Sequence, residues 1–307
     1  MTLPTASAIS SAIERVQQRV VSAALVYATH ERWPLSPTQP LPKSPLRIGV
    51  LDSSFNPPTL AHLALVNAPN PCTLTSDYDA KLLLLSVRNA DKILREDDAT
   101  LRQRVEMMFH LATRVHSNSP NSPPNVAVGL VNEPAFIAKS SALHRYLDGR
   151  FAELTSDPSH SVSTQLTFLM GSSQCMHRVR LTQTIRIRLV TLGFDTLERV
   201  LAPRYYPSED EMHRLLGIFF SQAGDDARVV CARRSLHGRD SDIGSLPATQ
   251  PYLESGRVAL IDIDSSEMSL SSSTLRAQCR SGDLLWSTAT TVEISQYIVD
   301  HKLYHSI

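Results

Sequence analysis

Two short strings hold the residues best able to handle a phosphate. The first is Ser53-Ser54-Phe55-Asn56-Pro57-Pro58-Thr59 with His62 close behind, directly after the β-forming run Leu46–Asp52. Ser53 and Ser54 are small enough to let an anion approach the backbone where a strand ends, and Pro57 and Pro58 stiffen the turn. Thr59 can cap a helix whose first N–H groups favour negative charge. His62 falls three residues on, on the same side one turn later, where its ring can donate a hydrogen bond to a phosphate. Alone, a histidine near a helix start also reads as structural. The second string is Leu270-Ser271-Ser272-Ser273-Thr274-Leu275-Arg276. Its hydroxyls and N–H groups at a helix start, with Arg276 one turn in, make a cradle for further phosphate oxygens. A serine-rich cap with a surface arginine is the plainer reading of that string in isolation.

These strings need a scaffold, and the chain supplies one by alternation. Strand-like runs at 46–52, 81–87, 125–131, 165–170, 227–233 and 257–263 are separated by helix-length segments, among them 59–66, 99–115, 140–151, 272–280 and 291–301. Short β-rich runs buried on both faces, with helices between them, predict an α/β fold built on a parallel, doubly wound sheet. Ligands of such sheets sit at the carboxyl ends of strands, which is where both strings fall.

The chain has 307 residues, 42% of them hydrophobic and 20% charged, enough for one large core or two small ones. Thirty basic and thirty acidic residues cancel, so net charge gives no long-range pull toward nucleic acid or an anionic membrane. Any anion must be held locally. Cys72, Cys175, Cys231 and Cys279 form no C-x-x-C pair, which predicts free thiols in a reducing compartment. The longest apolar runs are strand-sized, far short of the roughly 20 residues a membrane helix needs.

Residues 1–45 read as an N-terminal helix and a connector. The helix, over about 8–28, carries Ile13, Val16, Val20 and Ala24 on one face, and five prolines between Trp33 and Pro45 hold the connector extended. Arg15, Arg19 and the serines around them also resemble a mitochondrial presequence, so a cytoplasmic or nuclear location is expected with the mitochondrion as the alternative. The main domain is expected at 46–307, with a polar, proline-rich surface loop at 117–125.

As a whole, "SSFNPPTLAH" resembles the G-x-F-x-P-x-x-x-x-H signature of the nucleotidylyltransferases, and "SFNPPT" looks most like the nicotinamide mononucleotide adenylyltransferases. "LSSSTLR" is similar to that family's I-S-S-T-x-x-R, with Leu270 for isoleucine and Ser273 for threonine. The two motifs stand in the family's order, about 210 residues apart. The resemblance covers 46 to the end and is closest to the fungal branch, through "GFDTL" and "RYYP".

The resemblance implies a Rossmann-like fold and transfer of an adenylyl group from ATP to nicotinamide mononucleotide, giving NAD and pyrophosphate. It makes His62 the residue at the α-phosphate and Arg276 the second catalytic group. It places Ser53, Ser54, Phe55, Thr59, Ser271, Ser272 and Ser273 against ATP, with Asn56 on the acceptor. Mg²⁺ would arrive on the ATP phosphates, with no metal cage in the protein. "VCARRS" is similar to the strand whose arginine meets ATP, here Arg233, and "GFDTLERV" to the nucleotide-contacting turn, with Gly193 and Asp195. "ADKILREDDATLRQRVEMM" is similar to the acceptor-side segment. For each of these three a core-strand or surface-charge reading fits as well. Two departures stand out. Ser53 replaces the family's first glycine, and the acceptor loop "VNEPAFIAKS" has no tryptophan, leaving Phe136 as its aromatic. A transferase for another phosphate ester, or an ATP-binding or ATP-hydrolysing protein acting through partners, remains open.

One tract fits nothing around it. Removing the 22 residues 172–193 joins "LTFLMG" to "FDTLERV" with no gap in the family's strand-turn-helix. The tract has no acid and carries Arg178, Arg180, Arg186 and Arg188. It reads as an in-frame unspliced intron, a lineage-specific loop, or an ordinary helix or strand, with the first preferred. Deleting 172–193 is expected to raise both melting temperature and activity, and a spliced transcript retaining all 22 codons would refute the intron.

Overall fold

The computed structural model describes residues 3–38, 40–41, 45–71, 78–88, 98–117, 123–155, 162–170, 197, 200–233, 235–236, 239–240, 249–263 and 270–304. Helix α1 (Ala6–Gln17) and strand β1 (Ala23–Ala28) come first. Then β2 (Leu46–Asp52), α2 (Leu60–Asn67), β3 (Ala80–Ser86), α3 (Leu101–Ala112), β4 (Val126–Val131), α4 (Phe136–Thr155) and β5 (Thr164–Met170) alternate as the sequence predicts. Helix α5 (Glu209–Phe220) leads into β6 (Arg228–Arg233) and a small hairpin, β7 (Ser235–Leu236) with β8 (Arg239–Asp240). The chain closes with α6 (Gln250–Glu254), β9 (Val258–Asp262), α7 (Ser272–Ser281) and α8 (Val292–Asp300).

Seven strands form one sheet in the order β1-β4-β3-β2-β5-β6-β9. Every pair is parallel except β1 with β4. Setting β1 aside, the parallel strands run third, second, first, fourth, fifth, sixth, the Rossmann order, so the expected doubly wound sheet is what forms. Chain direction across the sheet reverses between β2 and β5, where Leu51 lies opposite both Leu83 and Leu169. The crevice beyond those carboxyl ends is where such sheets take ligands.

Period-two geometry divides the central strands between two cores. Leu51, Leu83, Leu85, Val128 and Leu130 face α1, α2, α3, α7 and α8, while Ile48, Val50, Leu82, Leu84 and Val131 face α4 and α5. Both sides are apolar, which is why these strands read as continuous hydrophobic runs.

The N-terminal segment differs from its expectation. Helix α1 stops at Gln17, and Ala23–Ala28 is an edge strand antiparallel to β4, so residues on both sides of position 46 build one sheet. The helical pattern fails there because "AALVYA" finds a strand partner whose backbone would otherwise be an open edge. Trp33 and Leu35, 1% and 2% exposed, anchor the start of the proline-rich segment in the second core. Helix α4 begins four residues ahead of its predicted start. Cys231 and Cys279 are free and buried, while Cys72 and Cys175 lie outside the described residues. Among the described residues no helix is long and apolar enough to cross a membrane.

At the end of β2, Asp52 pairs with Lys139 of α4, both side chains under 10% exposed, with the ammonium 4.8 Å over the Phe136 ring. A desolvated pair adds little net stability, yet removing one partner strands the other charge. Asp52→Asn should therefore cost about 3–5 kcal/mol of unfolding free energy, while Asp52→Asn with Lys139→Met recovers most of it. Urea denaturation of the single and double variants measures the difference.

Candidate active site

Strand β2 hands over to the loop at 53–58 with one further ladder bond, Ser53 N–H to the Leu84 carbonyl at 3.2 Å. Phe55 then turns the chain with φ of +43° while its ring is fully buried. A left-handed phenylalanine costs of order 1–3 kcal/mol and persists only where its surroundings hold it.

What holds it comes from the far end of the sequence. Arg276 donates to the carbonyl of Asn56. Ser272 Oγ donates to Pro57 O at 2.7 Å, and Thr290 Oγ1 to Pro58 O at 2.8 Å. Three consecutive loop carbonyls are thus taken by α7 and the turn before α8. In return, the Thr59 hydroxyl lies 3.3 Å from Leu270 O and 2.9 Å from His62 Nδ1, and its one proton is shared between them. The two sequence motifs are stitched together, and the N-termini of α2 and α7 meet beside the crevice. Their first-turn N–H groups and dipoles make that place favourable to an anion.

His62 is fixed on both sides of its ring. The Thr59 backbone N–H donates to Nδ1 at 3.0 Å, and Nε2 lies 2.9 Å from Ser53 Oγ. An N–H can only donate, so Nδ1 accepts and the neutral ring carries its proton on Nε2. His62 is therefore a donor toward the crevice. It cannot take a proton from Ser53, which excludes a Ser–His nucleophile in this tautomer. Phe55 supports the other edge of the ring, with centroids 5.4 Å apart.

The remaining expected residues divide. Ser271 caps α7, accepting from Thr274 N–H at 3.0 Å, while Ser273 in the first turn and Ser54 in the loop are half-buried. Asn56 stands behind the loop at 5% exposed. Its Nδ2 donates to Asp98 at 2.7 Å, and its Oδ1 accepts from Ala99 N–H at 3.2 Å and Tyr304 O–H at 2.8 Å, so the carboxamide is committed inward. Arg276 is also drawn inward, with Nε 3.5 Å from Asp98 and a side chain 15% exposed. Phe136 opens α4, edge-on to Phe168 at 5.9 Å, at the carboxyl end of β4. Arg233 ends β6, and its side chain is outside the described residues, as are Gly193, Asp195 and all of 172–193.

Sequence reasoning missed the support. Asp98 bridges Asn56 and Arg276, and Thr290 and Tyr304 reach the loop from the C-terminal segment. Arg104, 3% exposed, donates from Nε to Ala99 O at 2.8 Å, and burial pulls its pKa down against the attraction of Asp98. Among the described residues no group of three or more His, Cys, Asp or Glu side chains is placed to hold a metal.

No protein-family profile matches the chain. A Schizosaccharomyces pombe protein named "Putative nicotinamide mononucleotide adenylyltransferase" is 30% identical over 195 residues, 64% of this chain and 56% of that one. The chain thus spans little more than half the length of the curated relative it matches. Two solved structures of Plasmodium falciparum nicotinic acid mononucleotide adenylyltransferase, complexed with APC and with NaAD, superpose with TM-scores of 0.43 and 0.46 at 15% identity. Each match covers 84% of this chain, and 96% and 97% of the respective structures. Superposition that loose leaves the fold to rest on this chain's own strand order. The curated relative carries the name of the family that the two motifs resemble, the nicotinamide mononucleotide adenylyltransferases.

Proposed function

We propose that this chain transfers the adenylyl group of Mg²⁺–ATP to nicotinamide mononucleotide, forming NAD and pyrophosphate. The observation that carries this reading is the His62 Nε2 donor, held in one tautomer beside the joined N-termini of α2 and α7. A phosphate oxygen of the mononucleotide attacks the α-phosphorus of ATP, and the bond from that phosphorus to the bridging oxygen breaks in line. Pyrophosphate leaves with the bonding electrons, and no enzyme-bound intermediate forms. His62 donates to an α-phosphate oxygen in place of Ser53, and the first turns of α2 and α7 face the triphosphate. Such a reaction is accelerated by positioning and charge neutralisation. The described carboxylates at the site, Asp52 and Asp98, are spent on Lys139 and on Arg276 and Asn56. In this reading magnesium arrives on the phosphates of the substrate.

The tract at 172–193 begins two residues past the end of β5, the strand across the switch point from β2. We hold it to be an insertion in the family's strand-turn-helix segment. A second reading, adenylyl transfer to another phosphate ester, is favoured by Phe136, whose packing against Phe168 and Lys139 differs from a free aromatic platform. Mass detection of NAD from ATP, Mg²⁺ and nicotinamide mononucleotide decides between them. Pyrophosphate release with a different phosphate ester and no NAD would select the second.

Two substitutions test the roles. His62→Ala should lower turnover by roughly 10²–10³, about 3–4 kcal/mol, in a chain that still folds. Unchanged turnover would remove His62 from the chemistry. Arg276→Ala should raise KM for ATP far more than KM for the acceptor. Equal losses would leave Arg276 as a brace for the loop alone.

A further inference from the structure

Tyr304 lies almost at the end of the chain, yet it is 2% exposed and its hydroxyl donates to Asn56 Oδ1 at 2.8 Å. The turn that delivers it is unusual. Lys302 and Tyr304 both have left-handed backbones, φ +52° and +63°, a conformation that non-glycine residues adopt only when the surroundings demand it. Leu303 is buried, and its N–H is tied to Ile298 O at 2.9 Å. Residues 301–304 fold back as a hook that carries the Tyr304 phenol inward.

What the phenol touches gives it a consequence. The Asn56 carboxamide has one satisfied orientation, Nδ2 toward Asp98 and Oδ1 toward the Ala99 N–H and the Tyr304 O–H. The flipped amide would set its NH2 against two donors and its oxygen against a carboxylate. Without the hydroxyl, the Ala99 N–H and the Asp98 carboxylate still oppose that flip, but Oδ1 loses one of its two donors and the amide is held less tightly. Of the two anchors of Arg276, one is the backbone carbonyl of Asn56, and the other is Asp98, the carboxylate that the Asn56 carboxamide steadies. Burial raises the phenol's pKa, so it stays a donor at neutral pH. We infer that Tyr304 is a positioning residue that aims Arg276 at phosphate oxygens by locking the orientation of Asn56. The kinetic form of this inference rests on the adenylyl-transfer reading, and its binding form does not.

Tyr304→Phe in the full chain is the test, since it removes one oxygen and keeps the ring. The dissociation constant for inorganic tripolyphosphate by calorimetry, and KM for ATP, should each rise about fivefold, the worth of one neutral hydrogen bond. KM for nicotinamide mononucleotide should stay as it is, and the melting temperature should fall by no more than the few degrees that one lost hydrogen bond removes. Tyr297→Phe is the control. It removes a comparable phenol, bonded to Glu106, and should leave the tripolyphosphate affinity and both KM values as they are. An unchanged tripolyphosphate affinity overturns the inference, as does an equal rise for both substrates. A fall in melting temperature that accounts for the loss assigns Tyr304 a structural role and overturns it too. If the unaltered chain binds tripolyphosphate and makes no NAD, the adenylyl-transfer reading fails while the binding arm still decides Tyr304. If it binds no tripolyphosphate, both fail.

Discussion

Three consecutive carbonyls, those of Asn56, Pro57 and Pro58, govern the site. Two of the residues are prolines, so this stretch has acceptors in excess of donors and cannot satisfy itself by local turns. Left buried and unpaired, each carbonyl would cost about 1–3 kcal/mol. Arg276, Ser272 and Thr290 answer them one for one. The loop at 53–58 therefore takes its shape only when the C-terminal helices have docked. Folding of the whole sheet and assembly of the site become a single event, and the left-handed Phe55 is a tolerable cost because so many partners fix its neighbours.

That arrangement also sorts the charges. On the second face of the sheet, Asp52 and Lys139 neutralise each other at the end of β2. On the first face, two arginines, Arg104 and Arg276, share Asp98 among the described residues, which leaves positive charge beneath the loop. A dry interior strengthens such a field, and the two helix N-termini add to it. A chain of zero net charge can in this way hold a polyphosphate at one place, consistent with a site that relies on local donors and not on long-range attraction.

Much of this was readable in advance, and the rest was not for definite reasons. Parallel strands buried on two faces announce themselves as runs of β-formers, and α2 and α7 begin at Thr59 and Ser271, residue types that cap helices. Helix α5 carried its own signals, Ser208 as cap, three acids in the first turn and buried Met212, Leu216, Phe219 and Phe220, but no motif drew attention to it. Strand β1 misled because its residues continue a helical pattern and its partner, β4, lies about 100 residues later. The roles of Asp98 and Tyr304 were invisible for the same reason, since they act on Asn56 across 42 and 248 residues. Local pattern picks out the loop and the helix starts that the fold brings together, and only the tertiary fold shows what steadies them.

Ser53 is where this chain departs from the motif it resembles, and its structural effect differs from simple crowding. A glycine at 53 would leave the Nε2–H of His62 to water or substrate. The serine hydroxyl instead accepts that hydrogen at 2.9 Å. A phosphate oxygen must then replace an intramolecular acceptor, and the exchange costs up to the net worth of one hydrogen bond, about 0.5–1.5 kcal/mol. The hydroxyl released in that exchange keeps its own proton and remains beside the incoming anion as a donor, which offsets part of the cost. Under the adenylyl-transfer reading, the serine therefore trades some affinity for a ring whose orientation is already set before substrate arrives, and such preorganisation is what a reaction driven by placement of charge requires.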